Sequence, residues 1–228
     1  VGKKAAESAA QRRRKKAEER RAQRIREERR RKALRTAGIS ALAVLLVGGV
    51  AFAGFMEYRR RHIEGLLEYD GLTNTHVAED VDYEQSPPVG GDHHEAWQNC
   101  GVYTEPLRDV HAVHSLEHGA VWITYGPDLP ADEVEQLNAF YTPGSYVLVS
   151  PYEGDMPGPI VASAWGRQVA VDSTADERLG KFLRLYEQHP DVPEPGALCS
   201  GAIDMTAAEL EAGTGGPAEE GEPAAQGD

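Results

Sequence analysis

The chain has 228 residues, 40% of them hydrophobic, enough for one mid-sized core, and a formal net charge of −13. Its two ends differ too much in composition to share that core. The first 36 residues hold 16 basic and five acidic side chains, a balance of +11, which leaves 8 basic against 32 acidic, or −24, for residues 37 to 228.

Residues 1 to 36 form the basic arm, rich in Arg, Lys, Glu and Ala, with Glu/Arg pairs at helical spacing. Such a stretch supports a solvated helix without an apolar face to bury. Attraction to anionic lipid headgroups, about 1 kcal/mol per basic residue near the surface, is the expected role beyond setting topology. No aromatics are interleaved for base stacking, so no nucleic-acid partner is expected.

Next comes AGISALAVLLVGGVAFAGFM, residues 37 to 56, with no charge and Ser40 as its one polar side chain. At 1.5 Å rise per residue it reaches roughly 30 Å, the thickness of a bilayer's hydrocarbon core. A cleaved signal peptide is the alternative; its apolar run is usually about 7 to 15 residues and starts nearer the N-terminus. A retained transmembrane helix is therefore expected. The excess of basic residues before the span, against Arg59, Arg60 and Arg61 after it, predicts a cytoplasmic arm and an extracytoplasmic C-terminal body.

A stalk is expected over residues 57–69 and a folded domain over 70–203. AVWITYGP reads as a strand ending in a turn, and PADEVEQLNAFYT as an amphipathic helix. SYVLVSPY and PIVASAWGRQVAVD supply three further strands, the last two joined through a turn at Gly166-Arg167. TADERLGKFLRLYEQHP keeps Leu179, Phe182, Leu183 and Tyr186 on one helical face and stops before Pro190. The order β-α-β-β-β-α predicts an α+β domain, a small mixed sheet with helices on one face. Residues 204–228 are mostly Ala, Gly, Pro and Glu with little to bury, and a disordered acidic tail is expected there.

The two cysteines, Cys100 and Cys199, flank this region. Outside the cytoplasm the pair reads as one disulfide, worth about 4 to 5 kcal/mol by loop entropy; two separate buried thiols are the alternative.

HAVHSLEHGAVWITYGP, residues 111 to 127, places three of the eight histidines within eight residues. His114 and His118 are four apart and Gly119 follows, so one helical turn would project both imidazoles from the same side toward one ion. Glu117 is not placed as in a His-Glu-x-x-His hydrolase; it suits orienting a ring through its second N–H. His76 and His93 lie in turn-rich sequence and complete a candidate set of four with His114 and His118. Imidazole is the common ligand of zinc and copper. His94 and His111 are substitutes, Met156 is a candidate axial copper ligand, and His62 and His189 read as structural or solvated.

The runs THVAEDVDYEQSPPVGGDHHEAWQNCGVY, AVHSLEHGAVWITYGPDLP and VASAWGRQ resemble a bacterial family grouped as domain of unknown function 3105, common in actinobacteria. The resemblance covers roughly residues 70 to 202 and implies a basic cytoplasmic arm, one span and an external domain with two cysteines. Its pattern falls on His76, Pro87, Pro88, Gly91, His93, Cys100, Gly101, Tyr103, His114, Glu117, His118, Gly119, Tyr125, Trp165 and Gly166. GGDHH departs from the family's usual Ser-Gly-Pro-His but keeps His93.

Kinase, P-loop and dinucleotide motifs are absent, so no nucleotide cofactor is expected, and no catalytic residue stands out. The favoured expectation is an envelope-facing, membrane-anchored protein that binds copper or zinc and serves an accessory role, for instance to a respiratory metalloenzyme. A non-catalytic module docking on a larger envelope or respiratory complex, its histidines structural, is the second. A hydrolase or oxidoreductase with His118 as general base and a pH sensor built on the same imidazoles are the others.

Overall fold

Helix α1 runs from Gly2 to Arg61 in a computed structural model that describes residues 2–213. The sequence suits a helix of this length, since no proline interrupts it and its arm is built of strong helix formers. Arg59, Arg60 and Arg61 in the last turn oppose the negative end of the helix dipole. Along the apolar stretch the side chains stand in the open, Leu45 at 73% and Val50 at 75% exposure. α1 thus has the length and composition of either a membrane span or a signal sequence.

The chain divides between His62 and Ile63, and the second unit holds the sheet. The segment expected as a stalk is therefore split. Its first part continues α1, whereas Ile63 is buried in a core and β1, Leu67–Glu68, pairs antiparallel with the strand Arg167–Val171. The other strands are β2 (Gly101–Val102), β3 (Val121–Tyr125), β4 (Val147–Pro151), β5 (Ile160–Ala164) and β6 (Arg167–Val171), in spatial order β1-β6-β5-β3-β4-β2. β2, β4 and β3 are parallel; β5 and β6 join antiparallel, so the sheet is mixed. The parallel β3–β4 pair needs a crossover, which α3, Ala131–Asn138, supplies.

The β5–β6 turn falls at Trp165-Gly166, one residue earlier than expected, with Ala164 paired to Arg167. Gly166 has φ +67, and a Cβ there would sit 2.8 Å from the Tyr69 carbonyl oxygen, so the hairpin needs glycine at this point.

Helices lie on both faces of the sheet, not on one. Val121, Ile123, Val149, Ile160 and Val169 pack with Leu137 of α3 and with Leu179, Phe182 and Leu183 of α4, Glu177–Tyr186. Trp122 and Leu148 point the other way and pack with Ala112 and Leu116 of α2, Asp109–Glu117. β3 and β5 are buried along their whole length, which requires cover on both sides.

The acidic tail was expected from residue 204. Up to 213 the chain is ordered against the domain: Thr206 is buried and caps α5, Ala207–Glu211, in a reciprocal capping box with Glu209. The rest of the tail lies outside the described residues.

Candidate metal centre

α2 carries His111, His114 and Glu117, and His118 is its C-cap. Positions three and four apart share one side of a helix, so His114, Glu117 and His118 project together. All three are at most 3% exposed. The helix stops there because Gly119 takes φ +97, and a Cβ at Gly119 would lie 3.0 Å from the Gln188 Cα. Glycine thus turns the chain into β3 and leaves His114 and His118 at the end of the helix.

Two extended segments bring in the remaining histidines. His93 N–H donates to the Thr75 carbonyl at 3.0 Å and Val77 N–H to the His93 carbonyl at 2.8 Å, an isolated parallel bridge that aligns His76 with His93. Both segments are tied to α2: His94 N–H donates to Val110 O at 3.2 Å, and Asn74 Nδ2 donates to Glu117 Oε1 at 2.9 Å. The rings of His76, His93 and His114 then lie 4.7 to 5.0 Å apart, centre to centre. One ligand atom from each of these three and from Glu117 fall within 4.8 Å of one another. This buried His/Glu cluster can hold a metal ion.

The rings are oriented from behind. Nδ1 of His93 donates to Gly91 O (2.8 Å), Nδ1 of His114 to His94 O (2.7 Å) and Nδ1 of His118 to Leu198 O (2.6 Å). A carbonyl oxygen only accepts, so the proton is assigned to Nδ1, and in the neutral ring Nε2 keeps a free lone pair. Ligating histidines are typically held in this way, by a hydrogen bond from the second nitrogen. Glu117 was expected to provide it, but backbone carbonyls do so, and Glu117 faces the cluster itself. Its Oε2 is 2.8 Å from His93 Nε2 and 4.0 Å from His76 Nε2. The 2.8 Å contact is not aligned as a hydrogen bond, so it acts as an electrostatic contact and both atoms are buried without a hydrogen-bond partner.

Electrostatics separate the rings. Burial pushes the His114 pKa down, and the neighbouring His118, His93 and His76 push it further, to about 4, despite the His94 carbonyl. For His93, burial acts downward but is outweighed by the Glu117 carboxylate and the Gly91 carbonyl, so its pKa is raised. Glu117 is the converse: burial acts upward, yet His93 and Asn74 bring it below the usual carboxylate value. The site therefore presents a carboxylate and a neutral His114 at neutral pH.

His118 stands apart from the first group. Its ring packs against His114 at 4.5 Å and against Trp97 at 5.1 Å, and its Nε2 lies 3.4 Å from Glu194 Oε2. His114, His118 and Glu194 make a second set within 4.8 Å. The substitutes lie elsewhere: His94 and His111 meet edge to face at 4.6 Å, with Ala96 N–H donating to His94 Nδ1 and His111 Nδ1 donating to Ala96 O. Met156 packs by the Tyr103–Trp122 core, and His189 Nδ1 accepts from Asp191 N–H. Ser115, the nearest hydroxyl to His118 in sequence, is buried and donates to Gln98 O at 2.6 Å.

Cys100 and Cys199 form a disulfide with Cα atoms 5.3 Å apart, and Cys100 N–H donates to Cys199 O. It ties the 188–199 segment, which carries Glu194, to the cluster's side of the domain. Asn74 and Glu194 were not anticipated. Asn74 sits two residues before His76; Glu194 carries no local signal beyond lying five residues before Cys199.

Fold and site together define a protein with an apolar N-terminal helix and a disulfide-bonded α+β domain that encloses a histidine-carboxylate cluster fit for a cation. The chain matches the family described as protein of unknown function, DUF3105, over residues 76–201, more than half its length, and it belongs to that family. The matched region contains His76, His93, α2, both cysteines and every strand except β1. No curated protein and no solved structure matches the chain.

Proposed function

We propose that this protein is a membrane-anchored accessory protein of the cell envelope that binds copper or zinc through His76, His93, His114 and Glu117. One observation carries the reading: His93 Nε2 and Glu117 Oε2 are buried 2.8 Å apart, each without a hydrogen-bond partner. Buried polar atoms are normally satisfied, and a cation between them would satisfy both. Bonds of about 2.0 Å place tetrahedral ligand atoms roughly 3.3 Å apart, close to the spacing here. Three imidazoles and a carboxylate suit tetrahedral Zn(II) or a tetragonal Cu(II) site. Glu117 takes the place of the fourth imidazole expected from the sequence. His76, with its side chain 47% exposed, opens the set to solvent.

The test is calorimetric titration of the purified full chain with Zn(II) and Cu(II). Saturable binding of one ion, lost in His93→Ala and in His114→Ala, is expected; heats indistinguishable from dilution end the proposal. The anchor reading rests on α1, whose apolar stretch spans a bilayer, and on the basic arm, which suits the cytoplasmic side and its anionic headgroups. Reporter fusions after residue 213 that are active only in the cytoplasm would reverse it.

A second reading, a non-catalytic docking module for a larger envelope or respiratory complex, draws on the same Nδ1 bonds. Each ring fastens a loop carbonyl, at Gly91, His94, Ala96 or Leu198, as a structural histidine does. The aromatic residues that would mark a docking patch are not laid open: Tyr103 is 8% exposed, and Trp97 and Tyr141 are half-buried.

A further inference from the structure

His114 belongs to both candidate groups, and it has one free nitrogen. Its Nδ1 is committed to the His94 carbonyl at 2.7 Å, so only Nε2 is left to ligate. Nε2 of a neutral imidazole has a single lone pair and cannot serve two ions at once. On one side of it stand His76, His93 and Glu117; on the other stand His118 and Glu194. His118 is prepared as the others are, with Nδ1 given to Leu198 O at 2.6 Å and Nε2 directed to Glu194 at 3.4 Å.

The segment that supplies Glu194 is held in place independently of any ion. Glu194 N–H donates to Glu117 O at 3.2 Å, Gln188 N–H to Gly119 O at 2.8 Å, and Cys199 is bonded to Cys100. The Glu194 side chain is half exposed, whereas Glu117 and His93 are closed off.

We propose that His114, His118 and Glu194 form a second position for a divalent transition-metal ion, an alternative to the first, and that an ion passes between the two on His114. This rests on the metal-binding reading of the first group. The second position has three protein ligands against four, so it binds more weakly. It gives the ion a stepwise way out, in which two bonds to protein are remade before the last is lost. Stoichiometry stays at one ion per chain, since His114 cannot be shared.

The test uses the full chain in detergent micelles with Zn(II) as the probe, read by equilibrium dialysis and by the rate at which a chelator extracts the ion. Wild type should hold one ion. Glu117→Gln should hold one ion about 100-fold more weakly, and this remaining binding should vanish in Glu117→Gln/Glu194→Gln. Glu194→Gln alone should leave the equilibrium affinity within about threefold while slowing extraction at least fivefold; Glu194 is half exposed, so this variant should fold as wild type. Two ions per wild-type chain, remaining binding in Glu117→Gln that is indifferent to Glu194, no remaining binding at all, or unchanged extraction in Glu194→Gln would each overturn the second position and leave the first intact. Absence of Zn(II) binding by wild type would overturn both.

Discussion

The two faces of the sheet are equally buried but held by different physics. Toward α3 and α4 the inward residues are Val121, Ile123, Val149, Ile160, Val169 and Val171, with Phe182 and Leu179 set against them. Toward α2 the same strands present Trp122 and Leu148 in a smaller apolar cluster and, beside them, Thr124, Ser150, Ser163 and Gln168, all at most 3% exposed. These polar groups are satisfied in detail: Trp122 Nε1 donates to Ser150 Oγ at 3.0 Å, Thr124 Oγ1 to Val161 O at 3.2 Å, and Gln168 Nε2 to Ser163 Oγ and to Pro87 O. Apolar burial is non-directional, whereas a hydrogen bond fixes an angle. The face toward α3 and α4 carries the larger apolar cluster; the polar groups of the other aim the loops that bring His93 and Trp165 together at 6.0 Å.

The largest separation of the two roles should come from Phe182→Ala, which empties the apolar face. It should cost about 3–5 kcal/mol in denaturant unfolding, while the protein that remains folded takes up Zn(II) with unchanged affinity. A loss of affinity in step with stability would mean the two faces are one unit. The paired change Cys100→Ser/Cys199→Ser should cost about 2–5 kcal/mol. Because it releases the 188–199 segment on the polar side, it should also speed hydrogen exchange at Gln188 and Glu194, whose amides are bonded to Gly119 O and Glu117 O; exchange that rises first in α4 would contradict the assignment.

Ion binding should stabilise through the polar face alone. At 100 times its dissociation constant, Zn(II) should raise the unfolding free energy of wild type by about 2.7 kcal/mol. Asn74→Ala, which removes the donor that orients Glu117, should weaken binding about tenfold, and an unchanged isotherm would show that Glu117 needs no such support.

The smallest effect concerns Asp109, at the start of α2. Burial pushes its carboxyl up to about 6; Tyr152 donates to it, while Asp80 opposes its charge, and Tyr83 is the other titratable group that senses it. Arg108, beside it, is paired with Asp80 instead. A folded-state pKa above the unfolded value means that native stability falls as pH rises from about 4 through 6, where the folded state must give up a proton it holds more tightly. Asp109→Asn should therefore stabilise at pH 7.5 by about 1 kcal/mol, once the favourable N-terminal placement of an acid is allowed for, and by nothing at pH 4. Melting curves at the two pH values measure this, and an equal shift at both would rule the carboxyl out as its cause.

Much of the apolar face was readable from periodicity. Leu179, Phe182, Leu183 and Tyr186 recur at helical spacing, and the strands are short apolar runs bounded by Gly and Pro, so the β-α-β-β-β-α order follows from local pattern. The cover on the second face was not readable, because α2 is nine residues long and its buried positions include two histidines, a serine and a glutamate. Those residue types usually signal solvent. β1 and β2, two residues each, are below any periodic signal.

The site divides in the same way. Sequence alone determined the apolar helix, the element order, the i, i+4 spacing of His114 and His118, and Gly119 as the place where the helix must stop. Each depends on neighbours within a few residues, where backbone sterics and helical period act. Only the tertiary structure decided that His76 and His93 meet His114, that Glu117 faces the cluster instead of supporting it, and that Glu194 joins His118. Those contacts bridge up to 76 positions, from His118 to Glu194, and are made by a β-bridge, a disulfide and backbone carbonyls whose partners no local pattern encodes.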